Sequence, residues 1–311
     1  MRNPDRPPHA SAGTDVGARL MLGALCFIWG VTWPLMKVAL NEMPPLSMRA
    51  MAAALGAVTF YLLCLVMGRS LRVPSAKAWL HVVVASLLNI VAFSLFSAFA
   101  QLAAATSRVM ILAYTMPIWS VLLAWLFLGD RPDRTQTIAL VLCAAGLAIL
   151  IYPLAENGVP LGILYALAVA VCWAGGTVYL KWARVDADPM GMGSWQMTIA
   201  FIILAACTLV FEGYPRLGGT HLNGYLATAW TGIAGNGVAY ALWFTVVRRL
   251  PAVAASLGVL AVPVIGIAGS FLILGEVPTV PDIIGFALIF AASACVLLTG
   301  QPVTQTKPHA A

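Results

Sequence analysis

Two sets of side chains in this chain combine an amide with aromatic rings at helical spacing. They are Asn89, Phe93 and Phe96, and Asn236, Tyr240 and Trp243. Positions i, i+4 and i+7 lie on one face of a helix, so each set predicts one polar and aromatic surface. Two amides can hydrogen-bond the amino and carboxylate groups of a zwitterion while the rings flank its side chain. We predict that both surfaces, together with Tyr114 and Trp173, bind the substrate.

Helix packing is the alternative role for these side chains. Asparagines that hydrogen-bond between helices, and aromatic residues that fill space, are common in helical bundles. For a single aromatic residue, packing is the more frequent role. Repetition of the whole set favours a cavity, because a buried amide in lipid is costly unless it has a polar partner.

Two lysines and two acids form a second repeated pattern. Lys37 and Lys181 each end an apolar segment, while Asp130 and Glu276 each follow a Leu-Gly pair. The predicted topology places Lys37 and Glu276 on the outer side of the membrane, and Lys181 and Asp130 on the inner side. We predict that the two pairs act as gates that close in alternation. Snorkelling of each lysine toward the interface is the alternative.

No acidic residue lies in the middle of a predicted helix. Proton-coupled carriers commonly hold a carboxylate near the bilayer centre, so this pattern disfavours proton antiport and a cation pump. It favours a facilitator that is driven by the gradient of the solute itself. Arg49 is the most deeply placed cation, and the sequence leaves open whether it meets an anionic group or an acid at the outer face.

Composition makes the bilayer the solvent for most of the chain. Charged residues account for 9% of the sequence and apolar residues for 61%, whereas a soluble domain carries roughly 25% charged residues. The apolar residues run in blocks of about 20, which predicts membrane-spanning helices and excludes a β-barrel. The net charge of +6 comes from basic loop residues and indicates topology, not nucleic-acid binding. We expect no cofactor and no metal site, and the six cysteines, which lack CxxC spacing, are predicted to be free thiols.

Apolar segments of spanning length alternate with short breaks rich in Pro, Gly and charge. We predict helices near residues 18–40, 46–67, 77–100, 106–128, 134–153, 160–182, 190–211, 224–247, 253–274 and 281–299. Thirteen of the 17 Lys and Arg residues then fall on one side, which the positive-inside rule makes the cytoplasm. Both termini are therefore predicted to be cytoplasmic, in a bacterial inner membrane. The basic residues predicted on the outer side are Lys37, Arg49, Arg108 and Arg216.

The two halves of the chain repeat one another in order. Offsets of 144 to 149 positions relate Trp29 to Trp173, Lys37 to Lys181, Asn89 to Asn236, Pro117 to Pro263, Asp130 to Glu276 and Pro132 to Pro281. Each half holds an odd number of predicted helices, so the halves have opposite orientations, as in the inverted repeats of secondary transporters. The predicted fold is therefore all-α: a polytopic membrane protein with ten transmembrane helices in two inverted five-helix repeats. The repeats span residues 17–153 and 154–300, between a disordered cytoplasmic N-terminus (1–16) and a flexible cytoplasmic tail (301–311).

These ordered features resemble the drug/metabolite transporter superfamily, EamA type. The resemblance rests on the pair Trp29-Gly30 with Lys37, on the Leu-Gly-acid endings of two helices, and on the repeat, and it covers about residues 18–300. Asp130 stands where the family usually has Glu. Within the superfamily, the chain most resembles bacterial amino-acid exporters, especially the aromatic amino-acid branch.

The residues and the resemblance together predict a membrane transporter and not an enzyme. The expected partners are the lipid bilayer and an amino-acid substrate, with aromatic or bulky apolar amino acids favoured, exported by alternating access. Export of lipophilic cations or drugs is the second hypothesis, since aromatic walls suit cations. An intramembrane enzyme would need a nucleophile and a base inside the bundle, and a static channel is a further alternative. The sequence does not predict an oligomeric state.

Overall fold

The computed structural model of the chain describes residues 16–152, 160–214, 220–250, 255 and 258–299, with side chains up to residue 296. These ranges form helices joined by short turns and loops, and they contain no strand. The predicted disordered N-terminus (1–16) lies outside the described residues except for Val16, which begins the first helix. The predicted flexible tail (301–311) and the predicted boundary between the repeats at 153–154 also lie outside them.

The helices are numbered along the chain. They are α1 (Val16–Glu42), α2 (Pro45–Val66), α3 (Ala76–Ala103), α4 (Thr106–Leu128), α5 (Arg134–Ile151), α6 (Leu161–Ala183), α7 (Pro189–Glu212), α8 (222–249), α9 (Ala261–Leu274) and α10 (Val280–Thr299). Helices α1 to α7 are each long and apolar enough to cross a bilayer, and α9 and most of α10 are shorter apolar helices. The chain is therefore a multi-pass membrane protein. Nine of the ten predicted segments coincide with these helices, with ends displaced by a few residues. The other, predicted at 253–274, lies partly outside the described residues, and α9 begins at Ala261.

Proline, glycine and one aspartate explain several helix ends. Pro45 and Pro189 lie in the first turns of α2 and α7, where a missing N–H leaves no hydrogen bond unmade. Asp133 forms a capping box at the start of α5. Gly129 and Gly275 end α4 and α9 with φ angles of 76° and 69°, a left-handed conformation that suits glycine. The repeated Leu-Gly-acid motif is thus a helix C-terminus followed by an acid.

Within the described residues, three helices contain π-helical turns, in which each turn holds an extra residue. These are Leu87–Ala92 in α3, Thr208–Glu212 in α7 and Trp230–Val238 in α8. Asn89 and Asn236 each lie within such a turn, which releases backbone groups from the regular ladder. Helix α4 is interrupted at Tyr114 and Thr115, directly before Pro117 in the first turn of its second part.

The helices pack in pairs around a common centre. Helix α2 packs against α7 and α8, and α5 packs against α10. Helix α1 packs against α8 and α9, while α6 packs against α3 and α4, and α3 also contacts α7. The largest cluster of buried apolar side chains includes Met110, Ile111 and Leu112, each at most 1% exposed. The first part of α4 therefore lies in the core of the bundle.

Three carboxylates cap the N-termini of helices that are distant in sequence. Glu212 accepts hydrogen bonds from the N–H groups of Leu46 and Ser47 in α2, at 2.7 and 2.8 Å. Glu276 accepts from the first two N–H groups of α4, at 2.7 and 2.8 Å. Glu42 accepts from two N–H groups at the start of α8, at 3.0 and 3.2 Å. The first N–H groups of a helix lack acceptors in regular α-helical bonding, so the carboxylates complement them and the helix dipoles; the Gly224 N–H is shared with the His221 carbonyl at 3.1 Å.

Replacing Glu212 with alanine should destabilise the protein, because two N–H groups of α2 and the Ser47 hydroxyl lose their acceptor. A hydrogen bond to a charged group contributes roughly 1.5–3 kcal/mol, so the apparent Tm of the purified protein in detergent should fall by several degrees. Asp186→Ala is the control, since Asp186 is exposed between α6 and α7 and should not affect Tm. Equal Tm values for the wild type and Glu212→Ala would contradict the capping role.

Candidate functional site

A cavity of about 320 Å³ lies at the centre of the bundle, lined by α1, α2, α3, α4, α6 and α8. Its volume is near the lower end of the range for small-molecule sites. Most of the lining is apolar, and its polar side chains include Arg49, Asn236, Thr32 and Thr231. No carboxylate is among the described residues that line the cavity.

Aromatic rings from four helices form one continuous wall of this cavity. The ring centroid of Trp29 is 5.4 Å from that of Tyr240 and 6.2 Å from that of Trp243. Trp173 lies 5.3 Å from Phe93 and 6.1 Å from Tyr240. Rings at these separations make favourable tilted and edge contacts. The wall is therefore held by ring-to-ring packing and is suited to an aromatic or bulky apolar solute.

The π turn of α8 brings its backbone close to α1 and α2. The indole N–H of Trp29 donates to the carbonyl of Gly235 at 3.1 Å, so a carbonyl in this turn fixes the ring. A Cβ at Gly232 would lie 2.7 Å from the Ala52 carbonyl oxygen, and one at Gly235 would lie 2.9 Å from Thr32 Oγ1. Glycine is thus required here by close helix approach, which also brings Asn236 of α8 to the cavity.

Arg49 lines the cavity but is only 4% exposed. Its Nη2 donates to Ser97 Oγ on α3, and Ser97 donates in turn to the Phe93 carbonyl at 2.6 Å. The Arg49 Nε is buried without a hydrogen-bond partner. None of the ion pairs found among the described residues includes Arg49. Within the described part of the chain, this arginine therefore does not meet an acid at the outer face.

Most of the side chains that the sequence predicts for substrate binding line this cavity, namely Phe93, Tyr114, Trp173, Asn236, Tyr240 and Trp243. Asn89 and Phe96 do not. The Asn89 amide lies against α6, where it would collide with a Cβ on Gly176, and its Oδ1 has no partner. Phe96 stacks on Tyr165 with centroids 6.1 Å apart. Gly176 has no side chain, so the Asn89 amide occupies the space beside it. In the repeat, the position of α1 that matches Gly176 is Thr32, whose side chain takes up the corresponding space.

Four of the cavity residues that were not predicted to bind substrate come from α1, more than from any other helix. Trp29, Thr32, Trp33 and Met36 share one face of that helix and line the cavity. The repeat contains a signal for Trp29, since it matches Trp173. The other three carry no comparable signal, because a spacing of three or four residues describes any buried helix face.

The two predicted gating pairs differ in this structure. Lys181 Nζ lies 3.2 Å from Asp130 Oδ2, with more than half of each side chain exposed. Lys37 donates instead to the carbonyl of Gln101, while Glu276 caps α4. The inner pair is thus formed and the outer pair is not, and their alternation stays a prediction.

A second groove, of about 510 Å³, lies between α3, α4 and α6. Its lining includes Leu88, Leu123 and Phe127 and has no charged side chain among the described residues. Phe127 and Trp182 are 69% and 59% exposed at its margin, so the groove opens on the surface of the bundle. Without convergent polar groups it cannot orient a solute, and the central cavity is the better candidate site.

A sequence profile of the EamA-like transporter family matches the chain twice, over residues 17–152 and 160–298. The chain belongs to this family. It is 25% identical over 276 residues to the uncharacterized transporter YoaV of Bacillus subtilis, covering 87% of this chain and 94% of YoaV. It is also 25% identical over 280 residues to a probable amino-acid metabolite efflux pump of Escherichia coli, covering 84% and 88% of the two chains. A solved crystal structure with 23% identity has the same fold, with a TM-score of 0.64 over 91% of this chain and 97% of that one.

Cysteine substitution can test which face of α3 borders the cavity of this EamA-family transporter. Phe93→Cys should react with a small charged thiol reagent in water, because Phe93 lines the cavity. Phe96→Cys is the matched control, one turn along the same helix. It should react more slowly, because position 96 faces Tyr165 of α6 and is not part of the cavity lining. Labelling of the wild type measures the background from the six native cysteines. Equal protection of both variants, or faster labelling of Phe96→Cys, would place the cavity elsewhere.

Proposed function

We propose that this transporter exports amino acids, with aromatic or bulky apolar ones favoured, as a facilitator that works by alternating access. The observation that carries the proposal is the composition of the central cavity, which combines a continuous aromatic wall with an arginine and an asparagine and contains no described carboxylate. The aromatic wall matches the side chain of such an amino acid, and the polar groups match its carboxylate. The E. coli relative described as a probable amino-acid metabolite efflux pump supports the same class of substrate.

The charge of the cavity argues against lipophilic cations, the second candidate substrate class. Aromatic rings attract cations through their faces. Arg49 places a positive charge in the same cavity, however, and no described acid offsets it. A cationic drug would therefore meet repulsion where an anionic group meets attraction.

Alternating access rests on the proposal that the chain is two inverted five-helix repeats, with ten spans divided between residues 17–153 and 154–300. The twofold match of one family profile supports this division. Helix packing supports it as well. When α1–α5 and α6–α10 are exchanged, the contact of α1 with α9 becomes that of α6 with α4. Likewise, α3 with α6 becomes α8 with α1, and the contacts α2 with α7 and α5 with α10 are unchanged.

Local features at matching positions also support the repeat. Asn89 and Asn236 both lie in π turns. Gly129 and Gly275 both end their helices in the left-handed conformation. Two halves of opposite orientation can exchange shapes, so that a cavity between them opens first to one side and then to the other. The predicted gating residues Lys37, Glu276, Lys181 and Asp130 belong to this part of the proposal.

The facilitator mechanism rests on where the acids lie. In the described part of the chain, the carboxylates lie at helix ends or in loops, and Glu42, Glu212 and Glu276 are engaged by helix N-termini. A carboxylate near the bilayer centre, as commonly used for proton coupling, is not found there. We also propose an inner-membrane location with both termini cytoplasmic, which the distribution of Lys and Arg supports.

Counterflow in proteoliposomes tests this function. Vesicles loaded with unlabelled L-phenylalanine should transiently accumulate labelled L-phenylalanine from outside, without a pH gradient and equally with a protonophore present. Tyr240→Ala should weaken the apparent affinity by about twofold to tenfold, because losing an aromatic contact costs roughly 0.5–1.5 kcal/mol. Protein-free vesicles are the control.

Three outcomes would contradict parts of this proposal. Strict dependence on a pH gradient, with proton movement in fixed ratio, would refute the facilitator mechanism. Absence of counterflow with phenylalanine, tryptophan and leucine would refute amino-acid export. Transport of tetraphenylphosphonium in the same vesicles would favour the second substrate class.

A further inference from the structure

Arg49 is a buried cation in a membrane-spanning helix, and the described protein does not neutralise it. Its exposure is 4%, and its one hydrogen bond to the described residues goes to the neutral hydroxyl of Ser97. A buried charge is strongly unfavourable unless it is paired and its donors are satisfied. Charged residues inside membrane-spanning segments are therefore usually functional.

Three other cations of the described chain form ion pairs with an acid. Arg69 pairs with Asp188 at 2.9 Å, Arg108 pairs with Asp282 at 2.7 Å, and Lys181 pairs with an aspartate at 3.2 Å. Glu212 of α7, which caps the start of α2, does not form an ion pair with Arg49, and both of its carboxylate oxygens accept hydrogen bonds from the first turn of α2. The fold thus supplies an acid to each of these three cations, whereas Arg49, which is more deeply buried than any of them, has none among the described residues.

The free donors of Arg49 belong to a side chain that lines the central cavity. A guanidinium carries five N–H donors in a planar fork that matches a carboxylate. In Arg49, Nη2 contacts Ser97, whereas Nε is buried without an acceptor. The bond from Ser97 to the Phe93 carbonyl fixes the hydroxyl to which Nη2 donates, so that Ser97 orients the fork.

We propose that Arg49 is the receptor for a carboxylate on the transported solute, and that this carboxylate, not an amino group, is the polar feature that the site requires. This inference rests on the proposed function and narrows it. The substrate class becomes monocarboxylates with an aromatic or bulky apolar body. Amino acids belong to this class, and so do carboxylates that lack the amine. No described acid lines the cavity to receive an ammonium group, which is left to the faces of the aromatic rings.

Ligand binding with the purified full-length protein in detergent tests the assignment. The probes are L-phenylalanine, 3-phenylpropionate, which lacks the amine, and L-phenylalanine amide, which lacks the carboxylate. Quenching of intrinsic tryptophan fluorescence reports binding, because four tryptophans line the cavity. The wild type should bind both carboxylates at least about tenfold more tightly than the amide.

The informative variant is Arg49→Met, which has no charge and a flexible apolar side chain. It should lose about tenfold to a hundredfold in affinity for both carboxylates. It should bind the amide at least as tightly as the wild type does, because the charge that repels an ammonium group has been removed. Its apparent Tm without ligand should equal or exceed that of the wild type, because an unpaired buried charge has been removed. A purely structural arginine would give the opposite result, a lower Tm with unchanged preference. Arg19→Gln removes an exposed cation at the start of α1 and should match the wild type in every measurement.

Two further variants keep the charge and decide the question if Arg49→Met does not fold. Arg49→Lys and Ser97→Ala should each weaken carboxylate binding by about threefold to tenfold. Arg49→Lys loses the planar guanidinium, and Ser97→Ala loses the hydroxyl that orients it. Unchanged preference for carboxylate over amide in the variants that fold would overturn the assignment, as would a wild type with no such preference.

The result is separable from that of the counterflow experiment. If carboxylate binding depends on Arg49 but no amino-acid counterflow occurs, amino-acid export is refuted and the role of Arg49 is supported. Amino-acid counterflow together with unaltered carboxylate preference in Arg49→Met would support export and refute the role of Arg49.

Discussion

The structure depends on one constraint of the bilayer: each polar group inside it needs a partner within the protein or its ligand. The acids of the described chain follow this rule closely. Glu42, Glu212 and Glu276 satisfy the exposed N–H groups of three helices, and Asp282 satisfies Arg108. Because the backbone engages these carboxylates, they are not available to the cavity. Arg49 is then a buried charge of the cavity lining without an acidic partner among the described residues, and a solute with a carboxylate would supply that partner.

The two halves are similar in outline but contribute different chemistry to the cavity. Matching glycines end matching helices, and matching asparagines lie in matching π turns. Yet Asn236 lines the cavity, whereas the Asn89 amide packs against α6 at Gly176, which has no side chain to exclude it. Arg49 of α2 likewise has no basic counterpart within α7, whose residues Pro189–Glu212 include no Lys or Arg. A binding site formed by a repeat can therefore be asymmetric, as recognition of an asymmetric solute requires.

The sequence predicts the features that arise from local chemistry and from the repeat. Apolar length, proline and glycine positions are enough to locate the helices, because these depend on neighbouring residues. The aromatic wall follows in part from spacing, through Phe93, Tyr240 and Trp243. The capping role of Glu276 could not be predicted, because its partner helix begins about 170 residues earlier in the chain. The position of Asn89 depends on a glycine of another helix, and the isolation of Arg49 depends on how all the nearby acids are used.

A structure with L-phenylalanine bound is the most direct test of this account. It predicts that the solute occupies the central cavity with its carboxylate within hydrogen-bond distance of the Arg49 guanidinium and its ring against Trp29, Tyr240 or Trp243. A bound solute in the groove beside Phe127, or one in the cavity with its carboxylate turned away from Arg49, would contradict the account.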